Sequence, residues 1–328
     1  MIPAGITGTG IGVPEQIITN ADLEKKVDTS EEWIVSRSGI KQRHIAEQGV
    51  ATSDLAVQAG RKALEAAGLA PEEVDLIIVG TATPDYPFPA TACVVQDKLG
   101  AVNAVAFDLS AGCTGFAYSM AVGAQFINTG AYRNVLVIGA ETLSRILNWE
   151  DRSTCVLFGD GAGAAVLQPV SEGRGFLACE LGADGSKVSH LYQPAGGSKA
   201  PACAETVAAK QHTIHMVGKE VFKFAVKIIG EVTEKALEKA GLTKDDIDLF
   251  IPHQANTRII EAAAKRLELP PEKVVVNVDR YGNTSAASII IALDESVRSG
   301  RIKEGDIVAL VGFGAGLTWA ACILRWGR

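Results

Sequence analysis

The chain has 328 residues, 47% of them apolar and 21% charged, with a formal net charge of −7. That length and apolar share suit two ordinary domains or one duplicated fold with ample core, and they exclude long disorder. The acidic balance excludes nucleic acid as the main partner, while leaving room for a local basic patch.

Met1-Ile2-Pro3-Ala4-Gly5 has neither a basic nor an apolar leader region, so no signal peptide is expected. Ser53 to Ala67 is amphipathic and is followed by Gly68, which predicts a helix with glycine just past its end. Val74 to Ile78 reads as a strand, and so does Ala104 to Leu109. Then come the turn Ala111-Gly112-Cys113-Thr114-Gly115, a helix from Thr114 to Asn128 closed by Gly130, and a strand at Val135 to Ile138. Further on, Met216 to Ala240 predicts a second long helix ending at Gly241, with strands at Ile247 to Ile251 and Val274 to Val278. Gly282-Asn283-Thr284 opens a helix that Gly300 closes. Ile307 to Leu324 is uncharged and reaches the lower limit for a membrane span, about 18 residues. Gly312, Gly314 and Gly316 divide it, so two buried strands, Ile307 to Val311 and Leu317 to Leu324, joined by a glycine turn are the better reading. No membrane association is expected.

These elements repeat. Gly68-Leu69 and Val74-Asp75-Leu76-Ile77-Ile78 recur as Gly241-Leu242 and Ile247-Asp248-Leu249-Phe250-Ile251, and Gly112-Cys113-Thr114 recurs as Gly282-Asn283-Thr284. Each half reads strand, helix, strand, helix, strand, an α/β pattern with covered sheets. The halves divide at 1–172 and 173–328. Packed about a pseudo-twofold axis, equivalent turns meet at the centre, which brings Cys113 and Asn283 together. His253, at the position of Gly80 in the repeat, joins them.

Cys113 sits where a helix N-terminus favours thiolate over thiol; the competing reading is an inert buried cysteine. His253 ends an apolar strand, the end at which ligand and catalytic groups gather, or else it simply caps the next helix. His44 and His190 fall in polar loop sequence and read as solvated. His212 and His215 form HxxH without a third ligand at metal-site spacing. The six cysteines are scattered, without CxxC, a pattern suited to a reduced cytosol. Gly8-Thr9-Gly10-Ile11-Gly12 and Gly312-Phe313-Gly314-Ala315-Gly316 both lack GxGxxG, but the second presents bare N–H groups fit to hold an oxyanion. Lys219, Lys223 and Lys227 make one basic stripe, which is either a solvated face or a dock for an acidic partner.

Ala111-Gly112-Cys113, His253-Gln254-Ala255-Asn256, Gly282-Asn283-Thr284-Ser285-Ala286 and Phe313-Gly314-Ala315-Gly316 resemble the β-ketoacyl-acyl-carrier-protein synthase III family. So do Asp28-Thr29-Ser30-Glu31-Glu32-Trp33-Ile34, Phe158-Gly159-Asp160-Gly161-Ala162-Gly163-Ala164 and Asp279-Arg280-Tyr281-Gly282-Asn283. The resemblance runs from about Gly5 to Arg325 in the family's order. It implies the thiolase-like fold, an α/β architecture of duplicated βαβαβαββ halves in a five-layered arrangement.

The resemblance also implies roles. Cys113, His253 and Asn283 are the expected catalytic set, with an oxyanion hole from the backbone of Cys113 and Ala315; the family often has glycine at the latter position. Cys113 takes an acyl group from acyl-CoA. Decarboxylative condensation with malonyl-acyl-carrier protein then gives the 3-oxoacyl product. CoA is expected against Thr29, Trp33, Arg37, Arg152, Phe222 and Asn256, as a substrate, with no cofactor and no metal. The carrier protein is expected at Lys223, Gln254, Ala255, Asn256, Thr257 and Arg258, and the acyl pocket at Phe88 and Phe313. A cytoplasmic homodimer is implied, with Phe88 reaching across its interface. The rival readings are a non-condensing acyl-thioester binder, a cysteine hydrolase, and a polyketide- or quinolone-type relative with another starter.

Overall fold

The apolar runs pair into two sheets with one ground plan, in a computed structural model that describes residues 1–327. In the first sheet, Ala4–Gly12 (β1), Leu76–Gly80 (β2), Val105–Leu109 (β3), Val135–Glu141 (β4) and Gly161–Pro169 (β5) are ordered β1-β5-β4-β2-β3. β5 is antiparallel to β1 and β4, and β2 is parallel to β4 and β3. In the second, Gly175–Ala183 (β6), Leu249–Pro252 (β7), Ile307–Gly314 (β8) and Thr318–Arg325 (β9) are ordered β6-β9-β8-β7. Its pairings repeat those of the first sheet in sense: two antiparallel, then one parallel.

The long helices are Glu31–Ser38 (α1), Thr52–Ala67 (α2), Thr91–Leu99 (α3), Gly115–Asn128 (α4), Gly218–Ala240 (α5), Thr257–Arg266 (α6) and Ser288–Arg298 (α7). Strand alternation sorts them into layers. On β2, Leu76 and Ile78 face a central cluster that holds Phe116 and Met120 of α4, Ile289 and Ile290 of α7, and Leu249 and Leu310 of the second sheet. Ile77 and Val79 face outward, against Leu55 and Ala59 of α2 and Val95 of α3. On the far side, Ile229 and Val232 of α5 and Ile260 of α6 cover Phe250, Ala309 and Ile323. The result is helix, sheet, helix, sheet, helix: five layers, with α4 and α7 in the middle one.

Several expectations change. The strand expected at 274–278 is reduced to one bridge, Phe250 to Val274, and a short helical turn starts at Val278. The reason lies in a side chain: Gln254 Oε1 accepts the N–H groups of Asn277 and Val278, so those donors are not free for a strand ladder. β8 continues through Gly314, and Ala315–Leu317 make the turn, with Gly316 at φ 76° and Leu317 at φ 44°. His44 is not in a solvated loop. It lies in the short strand Gln42–His44, with Nδ1 2.6 Å from Pro14 O and its ring stacked on Tyr281. His190 is half-buried. The glycines of Gly8-Thr9-Gly10-Ile11-Gly12 serve packing: a Cβ on Gly8, Gly10 or Gly12 would come within 2.2–2.5 Å of carbonyl oxygens of α2.

His212 bonds Thr206, and no cluster of three metal-binding side chains occurs among the described residues. Among the same residues, no helix is long and apolar enough to cross a membrane. All six cysteines are free, with Cys179 and Cys322 opposed across β6 and β9.

Candidate active site

Cys113 lies in the helical turn Gly112–Thr114 that feeds α4, and it is 7% exposed. Two glycines let the backbone in. Gly112 takes φ 56°, and Gly314 of β8 packs so close that a Cβ there would stand 2.5 Å from Cys113 N. The sulfur faces a cavity of about 120 Å³ lined by Leu143, Ile146, Phe158, Leu191 and Ile214, with Ser285 and Ala315 at its edge. Burial pushes the thiol up to about 11; the Ser285 hydroxyl pulls it down, the Glu141 carboxyl pushes it up, and the N–H groups of Ala315 and Cys113 pull it down. A resting thiolate was the expectation from the helix terminus. Desolvation in this buried position outweighs that dipole.

His253 follows β7 and is 1% exposed; its N–H is bonded to Val311 O at 2.7 Å. Burial lowers it to about 3, so the imidazole is neutral. Its Nδ1 lies 2.5 Å from Ser288 Oγ, which also accepts from the Gln254 N–H. With the serine proton donated to Nδ1, the ring hydrogen sits on Nε2, leaving that nitrogen a donor. The ring meets Phe313 edge to face, with centroids 5.2 Å apart. Asn283 is oriented as firmly. Its Oδ1 accepts the Ser285 N–H at 2.8 Å, which turns the Nδ2 amide to donate elsewhere.

The loop that carries Asn283 is anchored on the first half. Asn283 N–H donates to Leu157 O and Gly159 N–H to Asn283 O. Under them runs Arg43, fully buried, donating to Ile18 O, Asn20 Oδ1 and Val156 O. Gly159 and Gly282 leave space for its stem, since a Cβ on either would lie 3.1–3.2 Å from Arg43 Cβ. Cys113 and Asn283 thus meet through Ser285, while His253 joins them through Phe313 and Gly314.

The residues expected around CoA also gather on one face. Two guanidinium groups lie over the Trp33 ring, Arg37 at 4.9 Å and Arg152 at 5.2 Å from its centroid. Arg152 is held there by Asp28, through its carbonyl at 2.6 Å and its carboxylate at 3.4 Å. A ring entering between Trp33 and Arg152 must displace that exposed contact, worth at most about 1 kcal/mol. Asn256 caps α6 and donates to Arg37 O at 2.7 Å; Phe222 carries Arg258 over its ring; the Thr29 hydroxyl is buried without a partner.

The residues expected to dock the carrier separate. Lys223 and Arg258 are exposed, with Lys223 paired to Glu220, and Ala255 and Thr257 are half-buried. Gln254 is 1% exposed and bonded to Pro252, Val275, Asn277 and Val278, so its side chain braces the fold and does not face a partner. Neither Phe88, which is 86% exposed, nor Phe313 lines the cavity in the single chain.

Sequence reasoning missed Glu141, Ser285 and Ser288 as individual contributors. Glu141 left a signal: a lone carboxylate closing the apolar run Val135-Leu136-Val137-Ile138-Gly139-Ala140 at a strand's C-terminal end. Ser285 left none beyond its place in the Asn283 motif, and Ser288, two residues past that motif, left none.

Comparison with known proteins places this architecture. Residues 107–185 match the family model 3-oxoacyl-[acyl-carrier-protein] synthase III, and residues 237–326 match the model of that family's C-terminal part. The chain is 62% identical over 327 residues to a β-ketoacyl-[acyl-carrier-protein] synthase III of Caldanaerobacter subterraneus, covering 100% of this chain and 99% of the relative. It is 63% identical over 328 residues to one of Desulfitobacterium hafniense, with the same coverage. The crystal structure of a β-ketoacyl-[acyl-carrier-protein] synthase III from Thermus thermophilus superposes with a TM-score of 0.92 at 52% identity, over 98% of this chain and 99% of that one.

Proposed function

Because the chain belongs to the β-ketoacyl-acyl-carrier-protein synthase III family and is an acyltransferase that starts fatty-acid synthesis by condensation, we propose that Cys113 is the residue that carries the acyl group. The observation that supports it best is a buried thiol at an apolar cavity with two backbone N–H groups at its sulfur. The sulfur attacks the carbonyl carbon of a short acyl-CoA, and the oxyanion formed takes hydrogen bonds from Cys113 and Ala315 N–H. Collapse expels CoA and leaves a thioester on the enzyme.

Malonyl-acyl-carrier protein then enters, and its thioester carbonyl accepts from His253 Nε2 and Asn283 Nδ2. Loss of CO₂ leaves an enolate that these two neutral donors stabilise. A cationic imidazole would protonate the carbanion; burial keeps His253 neutral. The carbanion attacks the acyl-cysteine and gives the 3-oxoacyl product on the carrier. In this reading 1–172 supplies the nucleophile and 173–328 the enolate donors.

CoA lies along Thr29, Trp33, Arg37, Arg152, Phe222 and Asn256, and the acidic carrier meets Lys223 and Arg258 at the same mouth. The enzyme works as a cytoplasmic homodimer. Exposed Phe88 and Tyr86 on the loop after β2, and exposed Val105 on the edge strand β3, support a second copy on this side of the first sheet. Incubation with acetyl-CoA followed by intact-protein mass spectrometry tests the core of the reading. Wild type should gain one acetyl group and the Cys113→Ala variant none; acetylation of that variant overturns the assignment.

A further inference from the structure

The charge of the Glu141 carboxyl pushes the nucleophile's thiol up, and the chemistry above leaves that carboxyl without a task. It closes β4 and is fully buried. Every group bonded to it is neutral. Thr83 Oγ1 donates to Oε2 at 2.6 Å, Ala82 N–H approaches both oxygens at 3.1–3.2 Å, and Ser285 Oγ donates to Oε1 at 2.9 Å. The elements packed on it add no cation. The loop after β2 presents Thr81 to Thr83, and the Asn283 loop presents Ser285 and Ala286. On the neighbouring β5 side, Asp160 is turned away onto Ser144 and Ala46.

Ser285 is held in an unusual backbone state, φ 47°; its hydroxyl bonds Glu141, and the residue lines the same cavity as Cys113. A serine has one proton to give. While Glu141 is ionised, that proton goes to the carboxylate and the serine oxygen is left to accept from the thiol; once Glu141 is protonated, the hydroxyl is free to donate to the sulfur, the state in which it pulls the thiol down. Two negative charges side by side in this buried site would be costly, so the second proton is hard to remove once the first has gone. Burial accordingly lifts the Glu141 carboxyl to about 7, while the thiol stands near 11.

We propose that the Ser285 hydroxyl relays the Cys113 proton to Glu141, so that acyl transfer starts from a thiolate facing a neutral carboxylic acid. The S–H bond breaks as Ser285 Oγ takes its proton and passes its own to Glu141 Oε1. The freed sulfur lone pair attacks the thioester carbon. The departing CoA sulfur then takes the stored proton back along the same path, so the site's charge is unchanged over the half-reaction. Glu141 is a positioning residue in this scheme: it touches no substrate and acts only through Ser285.

The inference rests on Cys113 being the nucleophile, and its test separates the two. Acetyl loading is timed by quench and intact mass from pH 7.5 to 9.5, in wild type, Glu141→Gln, Ser285→Gly and Cys113→Ala. Glycine suits the positive φ at 285 and leaves Glu141 its other donors, so it serves even where Glu141→Gln fails to fold. Wild type should load at a pH-independent rate, because the pair holds one proton throughout. Each relay variant should load roughly 10²-fold slower at pH 7.5, the low end of general-base effects, and speed up about tenfold per pH unit. Relay variants as pH-flat as wild type, or loading within about threefold of it, overturn the relay while the nucleophile stands. Loading of Cys113→Ala overturns the nucleophile itself.

Discussion

The close approach of Gly314 to Cys113 sets up a test of the oxyanion hole. Gly314 is extended, at φ −166° and ψ −168°, so alanine fits its backbone and the only obstacle is space. A Cβ there would lie 2.5 Å from Cys113 N and 3.0 Å from Cys113 Cβ, where ordinary contact begins at 3.4 Å. The two segments must therefore part by roughly 0.9 Å, the difference between those contact distances. Donors to an oxyanion act at about 2.7–3.1 Å, so such a shift removes one of the pair, worth about 10²–10³ in rate. Overpacking of this kind costs a further ~1–3 kcal/mol of stability. In Gly314→Ala, acetyl loading at saturating acetyl-CoA should fall by that factor. Alkylation of Cys113 by iodoacetamide forms no oxyanion and should change less than about threefold. Loading at the wild-type rate would show that the N–H pair is not the hole, and parallel loss of both reactions would show that the substitution merely blocks the thiol.

His253→Ala and Asn283→Ala should keep acetyl loading and lose malonyl decarboxylation by roughly 10²-fold, measured as CO₂ release; equal loss of both half-reactions contradicts the division of labour. The Lys223→Glu, Arg258→Glu double variant should weaken use of malonyl-carrier protein, most at low salt, and spare acetyl loading, as exposed charges screened near 0.1 M require. His253 stays neutral in the fold down to about pH 3 but takes a proton near 6.5 when unfolded. The unfolded chain binds more protons between those values, so His253 costs stability as pH falls below 6.5. His253→Gln should therefore lose less melting temperature than wild type on acidification from pH 7 to 5, and parallel curves would show that this histidine is not the source.

The two-sheet plan was legible because it rests on short-range signals: apolar runs, glycine stops and a repeat that fixes equivalent positions. The same signals placed α2, α4, α5, β2 and β3 within a residue or two, and stopped three residues short of the end of β4. They failed at 274–278, where the run is as apolar as a strand but a glutamine borrows its donors from a distance. Cys113, His253 and Asn283 could be nominated together because the symmetry of the repeat relates distant sequence positions. The ionisation of Cys113 could not. A helix terminus is visible in sequence, whereas the desolvation that opposes it, and Glu141 behind Ser285, exist only once the two halves close. Gln254 shows the reverse failure, a polar residue in a motif read as a contact when its amide is spent inside the fold.

The middle layer has a consequence for how the chain unfolds. α4 and α7 come from different halves yet share one cluster, and Arg43 finds its carbonyl partners only when residues 18–20 and 156 are in place beneath the loop at 282–283. Neither half can bury its own central helix without the other, and a buried guanidinium missing any acceptor carries a desolvation cost of about 1–3 kcal/mol or more. The repeat, although legible as two units, should therefore behave as one cooperative body. Heat or denaturant should melt both sheets in a single transition, and a chain cut between 172 and 173 should recover its structure only when both pieces are present.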